Sequence, residues 1–364
     1  FYYTPPTGFL ALCTSNLPDV AVTPSEHFNT LLYSGNGSSG HAITGVGFQP
    51  DLTWTAERTS TSANHWFDSV RGYNKAFYTN STAAESNQSA MAVASDGFTV
   101  GVSGGFNENS QNYASWNWKA GTSVSGNSSG SGTAQSYTGS VNTDAGFSII
   151  KYTGNGTDGM QVPHHLGVVP DAIIIKSLTT QSWNVFFPNA IGADKGLQLD
   201  NTGPWGGPFH STHLSDEMPT TSVVKLGNGA ATNTFADGVG QDYIMYCWAN
   251  KSGYSSIGGY VGNGNDDGPF VYTGFRPAFV MIKVTGLDGE SWQIIDSERV
   301  GYNNGNNHLE ANSSVAEDSG VADRVDLLSN GFKIKNDWTR INSNAYTYVY
   351  MAFAETPFKY SNAR

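Results

Sequence analysis

Tyr33-Ser34-Gly35-Asn36-Gly37, Tyr152-Thr153-Gly154-Asn155-Gly156 and Tyr260-Val261-Gly262-Asn263-Gly264 are three copies of one pentapeptide in a chain of 364 residues. Asn-Gly between apolar runs signals a hairpin, because both residues tolerate the positive φ of a type I′ turn. Copies at domain-sized spacing predict three related β-modules in tandem.

The copies continue past the turn. A proline comes after each one, at Pro50, Pro170 and Pro277, and an apolar stretch comes next, clearest in Asp171–Lys176 and Ala278–Lys283. Then comes a tryptophan beside a strand-like run: Trp66-Phe67-Asp68, Trp183-Asn184-Val185 and Trp292-Gln293-Ile294. A longer match sets Trp66-Phe67-Asp68-Ser69-Val70-Arg71 against Ile294-Ile295-Asp296-Ser297-Glu298-Arg299. Each module closes on an aromatic strand. In Thr347–Ala354, Tyr348 and Tyr350 share one face while Val349, Met351 and Phe353 share the other. Alternation of this kind marks a sheet whose two faces are used differently. The expected fold is all-β, with three tandem antiparallel β-sandwich (jelly-roll-like) modules related by internal repeat.

Expected boundaries are 27–120, 145–252 and 253–364 for the modules. Residues 121–144, rich in Gly, Ser and Thr, read as a linker, and 1–26 as the end of an upstream module. The start at Phe1, without Met or a signal-peptide pattern, reads as a fragment or processed chain.

Charged residues make up 13% of the chain, against roughly 25% in average globular proteins. Few charges with many Gly, Asn, Ser and Thr suit a turn-rich extracellular or virion protein. A net charge of −12 argues against a nucleic-acid-binding face. No apolar run reaches the length of a membrane helix, so no membrane insertion is expected. The two cysteines, Cys13 and Cys247, read as buried thiols and not as a disulfide framework.

Motifs that resemble chemistry are explained better by turns. Gly35–Gly40 and Gly154–Gly159 match G-x-G-x-x-G, but neither precedes a helix that could meet a phosphate. Gly101–Gly105 and Gly126–Gly130 match G-x-S-x-G without a strand-to-helix setting. Asn263, Asn265, Asp266 and Asp267 carry oxygens suited to Ca²⁺, yet a turn tip accounts for them. Asp68 with Arg71 and Asp296 with Arg299 read as structural ion pairs. No catalytic residue, cofactor or metal is expected. The segment Pro204–Glu217 has no counterpart in the other modules. It supplies the candidate ligand-binding residues: Trp205 as a stacking platform for a sugar ring, with His210 and His213 in the one metal-like cluster.

Gly47-Phe48-Gln49-Pro50-Asp51-Leu52, Asp68–Gly72 with Asn80-Ser81-Thr82, and Tyr272–Ala278 resemble repeat modules of bacteriophage virion proteins. Such modules are common in tail-fibre-like proteins of marine and cyanobacterial phages. Tyr350–Glu355 with Pro357–Tyr360 and Asn362–Arg364 resembles their C-terminus. Tyr3–Phe9 with Ala11–Thr14 resembles the end of a concanavalin-like (SPRY-type) module. The resemblance implies a non-enzymatic virion structural protein, a fibre, appendage or decoration, that displays β-modules and adheres to the host surface. It implies other virion proteins as partners, a homo-oligomer (a trimer by class), and a host-surface glycan as ligand. The alternatives are a secreted carbohydrate-binding β-sandwich protein and a glycan depolymerase. The last would need paired carboxylates facing one cleft.

Overall fold

The computed structural model describes residues 20–360 apart from 89–90, 103–104, 205–211, 237–238, 301–302, 304–306 and 319–323. It is nearly all β, and its sheets are antiparallel. Three large sheets share one strand order. The first runs Phe28–Ser34, Asn112–Trp118, Leu52–Glu57, His65–Asp68, Lys75–Tyr78, with Ser86–Asn87 added at the edge. The second contains Phe147–Thr153, Asp242–Trp248, Ala172–Ser177, Asn184–Phe186, Leu197–Gln198. The third is Ser255–Val261, Thr347–Pro357, Phe275–Val284, Gln293–Asp296, Leu309–Glu310. A three-stranded sheet shares a core with each, built around Gly97–Val100, Met160–Pro163 and Gly331–Ile334 respectively.

The alternation along the closing strands now has a cause. Tyr348 and Tyr350 face the small sheet of their own unit, whereas Val349, Met351 and Phe353 enter a core shared by all three units. In the second unit Tyr243, Met245 and Cys247 face inward, and Ile244, Tyr246 and Trp248 enter the shared core. Ala114, Trp116 and Trp118 do the same in the first. The central strands of each large sheet are thus buried on both faces, and Leu52–Glu57 and Ala172–Ser177 have no exposed residue. Aromatic rings fill the junction: Phe28 lies 5.1 Å from Phe353, and Trp118 is edge-on to Phe353 at 5.4 Å and to Trp248 at 6.2 Å. Edge-to-face rings satisfy each other's quadrupoles while burying large apolar areas.

Equivalent hydrogen bonds close the three units into a ring. Trp183 Nε1 donates to the Tyr78 carbonyl at 3.0 Å, Trp292 Nε1 to the Gln198 carbonyl at 2.8 Å, and Asn64 Nδ2 to the Glu310 carbonyl at 2.8 Å. Strand pairing makes Tyr78, Gln198 and Glu310 counterparts, opposite His65, Asn184 and Gln293. The donors are the residues before these last three. Trp183 and Trp292 therefore correspond to Asn64 and not to Trp66. The longer sequence match, Trp66 with Ile294, has the right register. The tryptophan match was two residues out, because Asn64 does the same work with an amide.

Two expectations fail in detail. Residues 121–144 do not form an unpaired linker. Thr122–Asn127 and Ser136–Asn142 pair as a hairpin, and the latter adds to Phe147–Thr153. Small polar residues are tolerated because most of this edge hairpin faces solvent. The Gly-Asn-Gly segments are not type I′ hairpin tips. The strands on either side of each lie in different sheets. Gly37, Gly156 and Gly264 have φ of 65°, 70° and 65°, but their asparagines are not in the positive region. Cys247 is buried with its thiol pushed up by burial, and Cys13 lies outside the described residues. The stretch resembling a SPRY-type module also falls outside them.

Candidate functional site

The Gly-Asn-Gly segments form a latch repeated in each unit. Asn36 Oδ1 accepts from the Ser38 amide at 2.8 Å, Asn155 Oδ1 from Thr157 at 2.9 Å, and Asn263 Oδ1 from Asn265 at 3.0 Å. A second, fully buried asparagine holds each turn from the other side. Asn107, Asn233 and Asn342 accept the backbone amides of Asn36, Asn155 and Asn263 at 3.0, 2.7 and 2.8 Å. The tyrosine that opens each pentapeptide donates to the carbonyl just before that asparagine: Tyr33 to Phe106, Tyr152 to Thr232, Tyr260 to Ile341. The first glycine leaves no space for a side chain, since a Cβ on Gly35 would lie 2.2 Å from the Glu108 carbonyl oxygen. These turns are therefore closed by their own polar groups. Gly35–Gly40 leads into the strand His41–Thr44, and Gly154–Gly159 into Met160–Pro163, so neither presents a helix N-terminus to a phosphate.

Most of the remaining chemistry-like residues are also occupied. Asp68 accepts from the Arg71 amide at 2.8 Å and Nε at 2.5 Å, and Asp296 accepts from the Arg299 amide at 2.9 Å and Nε at 2.6 Å. Asn263 serves its latch, and Asp267 pairs with Lys333. Glu217 pairs with Lys225. Among the described residues no three His, Cys, Asp or Glu converge as for a metal. In Gly126–Gly130, Ser128 Oγ accepts the Gln135 amide within the hairpin. Ser103 lies outside the described residues.

A cavity of about 350 Å³ opens where the second unit meets the third. Phe186 and Leu197 give it an apolar side; Asn184, Gln198, His213 and Asp288 give it a polar one. Pro204 stands at its rim, where the segment singled out in the sequence begins. Of the three candidate residues, His213 is in the wall, its ring 6.4 Å from that of Phe186. Trp205 and His210 lie outside the described residues. Sequence reading missed Asn184, Gln198 and Asp288. The strand pairing that places the first two opposite each other was obscured by the misplaced tryptophan register.

The polar groups are partly committed. Asn184 Nδ2 donates to the Ser182 carbonyl at 3.2 Å, and Asn201 Nδ2 donates to Gln198 Oε1. Asn184 Oδ1 and Gln198 Nε2 make no hydrogen bond among the described residues and are open to the cavity. Beneath the rim, Lys283 Nζ donates to the carbonyls of Val284 at 2.8 Å and Thr202 at 3.4 Å. Burial pushes this amine down to about 8, against the pull of Glu290 and Asp288. The cavity can therefore hold a small polar molecule against an apolar side, with an amide oxygen, an amide nitrogen and a carboxylate available.

The fold and site define an all-β protein of three interlocked units with an open, partly polar cavity between the second and the third. The chain belongs to the family of a domain of unknown function, DUF7483, whose model matches residues 23–357. The match starts ahead of the first strand and stops with the last, so it takes in the whole ring of units. No curated protein and no solved structure matches the chain.

Proposed function

We propose that the chain is a rigid, non-enzymatic structural protein of a bacteriophage virion, a fibre, appendage or decoration, that adheres to the host surface. The observation that carries this reading is the closed ring of units, in which the central strands of three large sheets give both faces to burial and leave turns and loops outside. A scaffold of this kind holds loops in fixed positions, and loops on a rigid scaffold are where recognition resides. The threefold arrangement common in fibres is here approximated within one chain, so closure of the sheets needs no second copy. Antibodies raised against the purified chain should label intact particles and block their adsorption to host cells. Label found only in secreted material, with none on particles, would overturn the virion reading.

A secreted carbohydrate-binding protein is the second reading, and the cavity beside Asn184 and Asp288 favours it. Both readings require surface recognition. They differ in whether the chain travels on a particle.

A further inference from the structure

The three units allow one place in the fold to be compared three times. At the Asn184–Gln198 pair of the second unit the place is open. In the first unit the counterparts are His65 and Tyr78, and their rings pack edge-on at 4.9 Å. Phe106 packs on the same His65 at 5.0 Å. In the third unit the counterpart of Gln198 is Glu310, which pairs with Arg340. The fold is thus satisfied with this position filled by rings or by an ion pair. In the second unit it is lined instead by two amides, a phenyl ring and, from the third unit, the exposed carboxylate of Asp288.

We infer that this cavity is a binding subsite for one neutral sugar ring. The inference rests on the adhesion reading above and gives it a location and a ligand class. A pyranose offers vicinal hydroxyls, each both donor and acceptor, and an apolar C–H face. Asn184 Oδ1 accepts a hydroxyl proton, Gln198 Nε2 donates to a hydroxyl oxygen, and the Asp288 carboxylate accepts strongly from outside. Phe186 and Leu197 supply the apolar side. An amide oxygen open to the cavity offers an acceptor to a hydroxyl and nothing to an apolar group, which favours a hydroxylated ligand over an apolar one. Asp288 disfavours acidic sugars through like charge, and the Lys283 ammonium is turned to backbone carbonyls. The volume fits a single residue of a glycan and not a long stretch of it.

The test is saturation-transfer NMR on the full chain with methyl glycosides of glucose, galactose and mannose, and with N-acetylneuraminic acid as the acidic probe. At least one neutral glycoside should bind, and neuraminic acid should not. Asp288→Asn should weaken binding about tenfold, and Gln198→Tyr, which copies the plug of the first unit, should abolish it. Both variants should keep the wild-type melting temperature. Asp288 is on the surface, so its variant reports even if Gln198→Tyr does not fold. Preference for the acidic probe, binding untouched by both substitutions, or no binding at millimolar glycoside would overturn the subsite. Binding of the same samples to whole host cells separates the two levels. Cell binding that survives Asp288→Asn leaves adhesion standing and removes this subsite, whereas no cell binding by wild type removes adhesion itself.

Discussion

Tyr246 Oη donates to Asp68 Oδ2 at 2.7 Å, joining the closing strand of the second unit to the ion pair of the first. At the counterpart position Trp116 Nε1 donates to Asp296 Oδ2 at 3.0 Å, joining the first unit to the third. Register places Met351 and Phe187 at the remaining corner, and both are apolar. Donor and acceptor are lost together there. That is what burial demands, because a lone carboxylate in such a core would carry an uncompensated charge.

The buried latch asparagines should be among the most sensitive positions away from the surface. Asn342 donates to Asn263 Oδ1, Asn265 and Asn336 and accepts from the Asn263 amide. Asn342→Ala should cost about 2–4 kcal/mol in urea unfolding, since a fully buried amide and the part-buried groups it holds lose their bonds at once. A change under about 0.5 kcal/mol would show that the latch is not a stabilising device.

Glycines of the pentapeptide region should separate by cause. Gly35→Ala drives a Cβ to 2.2 Å from backbone oxygen and should cost more than about 3 kcal/mol. Gly40 has φ of 79° with open space around it, so Gly40→Ala should cost only about 1 kcal/mol of backbone strain. Equal melting temperatures for the two variants would contradict the close-approach explanation.

Two tryptophans of equal burial should respond unequally to phenylalanine. Trp248 Nε1 has no hydrogen-bond partner, and its counterpart in the third unit is already Phe353. Trp183 Nε1 bonds across the unit boundary to Tyr78. Trp183→Phe should therefore cost about 1 kcal/mol more than Trp248→Phe, measured by denaturant midpoint at unchanged m.

Acid should weaken the fold through its buried histidines. Burial lowers His65 and His164 to about 4 and, with Arg324 beside it, His308 to about 3. These folded values lie below the unfolded value of 6.5, so the unfolded chain binds more protons in between. Their contribution is complete above about pH 6.5 and is lost as pH falls through about 4. Each can account for up to roughly 3 kcal/mol. Burial pushes Glu317 up, but its bonds to Arg58 and Arg299 outweigh this and hold it low, so its loss comes at more acid pH. The melting temperature should fall steadily from about pH 6.5 to 4, and His65→Phe should flatten part of that slope. A flat profile over this range would contradict the burial of neutral imidazoles.

Much of the fold was legible in local sequence. The period-two pattern of Tyr348–Phe353 announced two differently used faces, which prove both to be buried, and the pentapeptides marked the same strand end three times. What they signified was not legible. The turn depends on Asn107, Asn233 and Asn342, which are 71, 78 and 79 residues from their partners. Closure of the ring was equally hidden, because the bond that Trp183 and Trp292 make with indole is made by Asn64 with an amide. For the site, the odd segment singled out in the sequence begins beside this cavity, and His213 is in the cavity wall. Asn184 and Gln198 look like ordinary strand residues, and only comparison with His65 and Tyr78 at the paired position shows that rings are missing there.

The three units form one body through a shared core, and differential scanning calorimetry of the full chain reads whether they melt together. One transition is expected, with a calorimetric enthalpy equal to the van't Hoff enthalpy. Separate transitions for individual units, each unaffected by Trp183→Phe or Trp292→Phe, would contradict it.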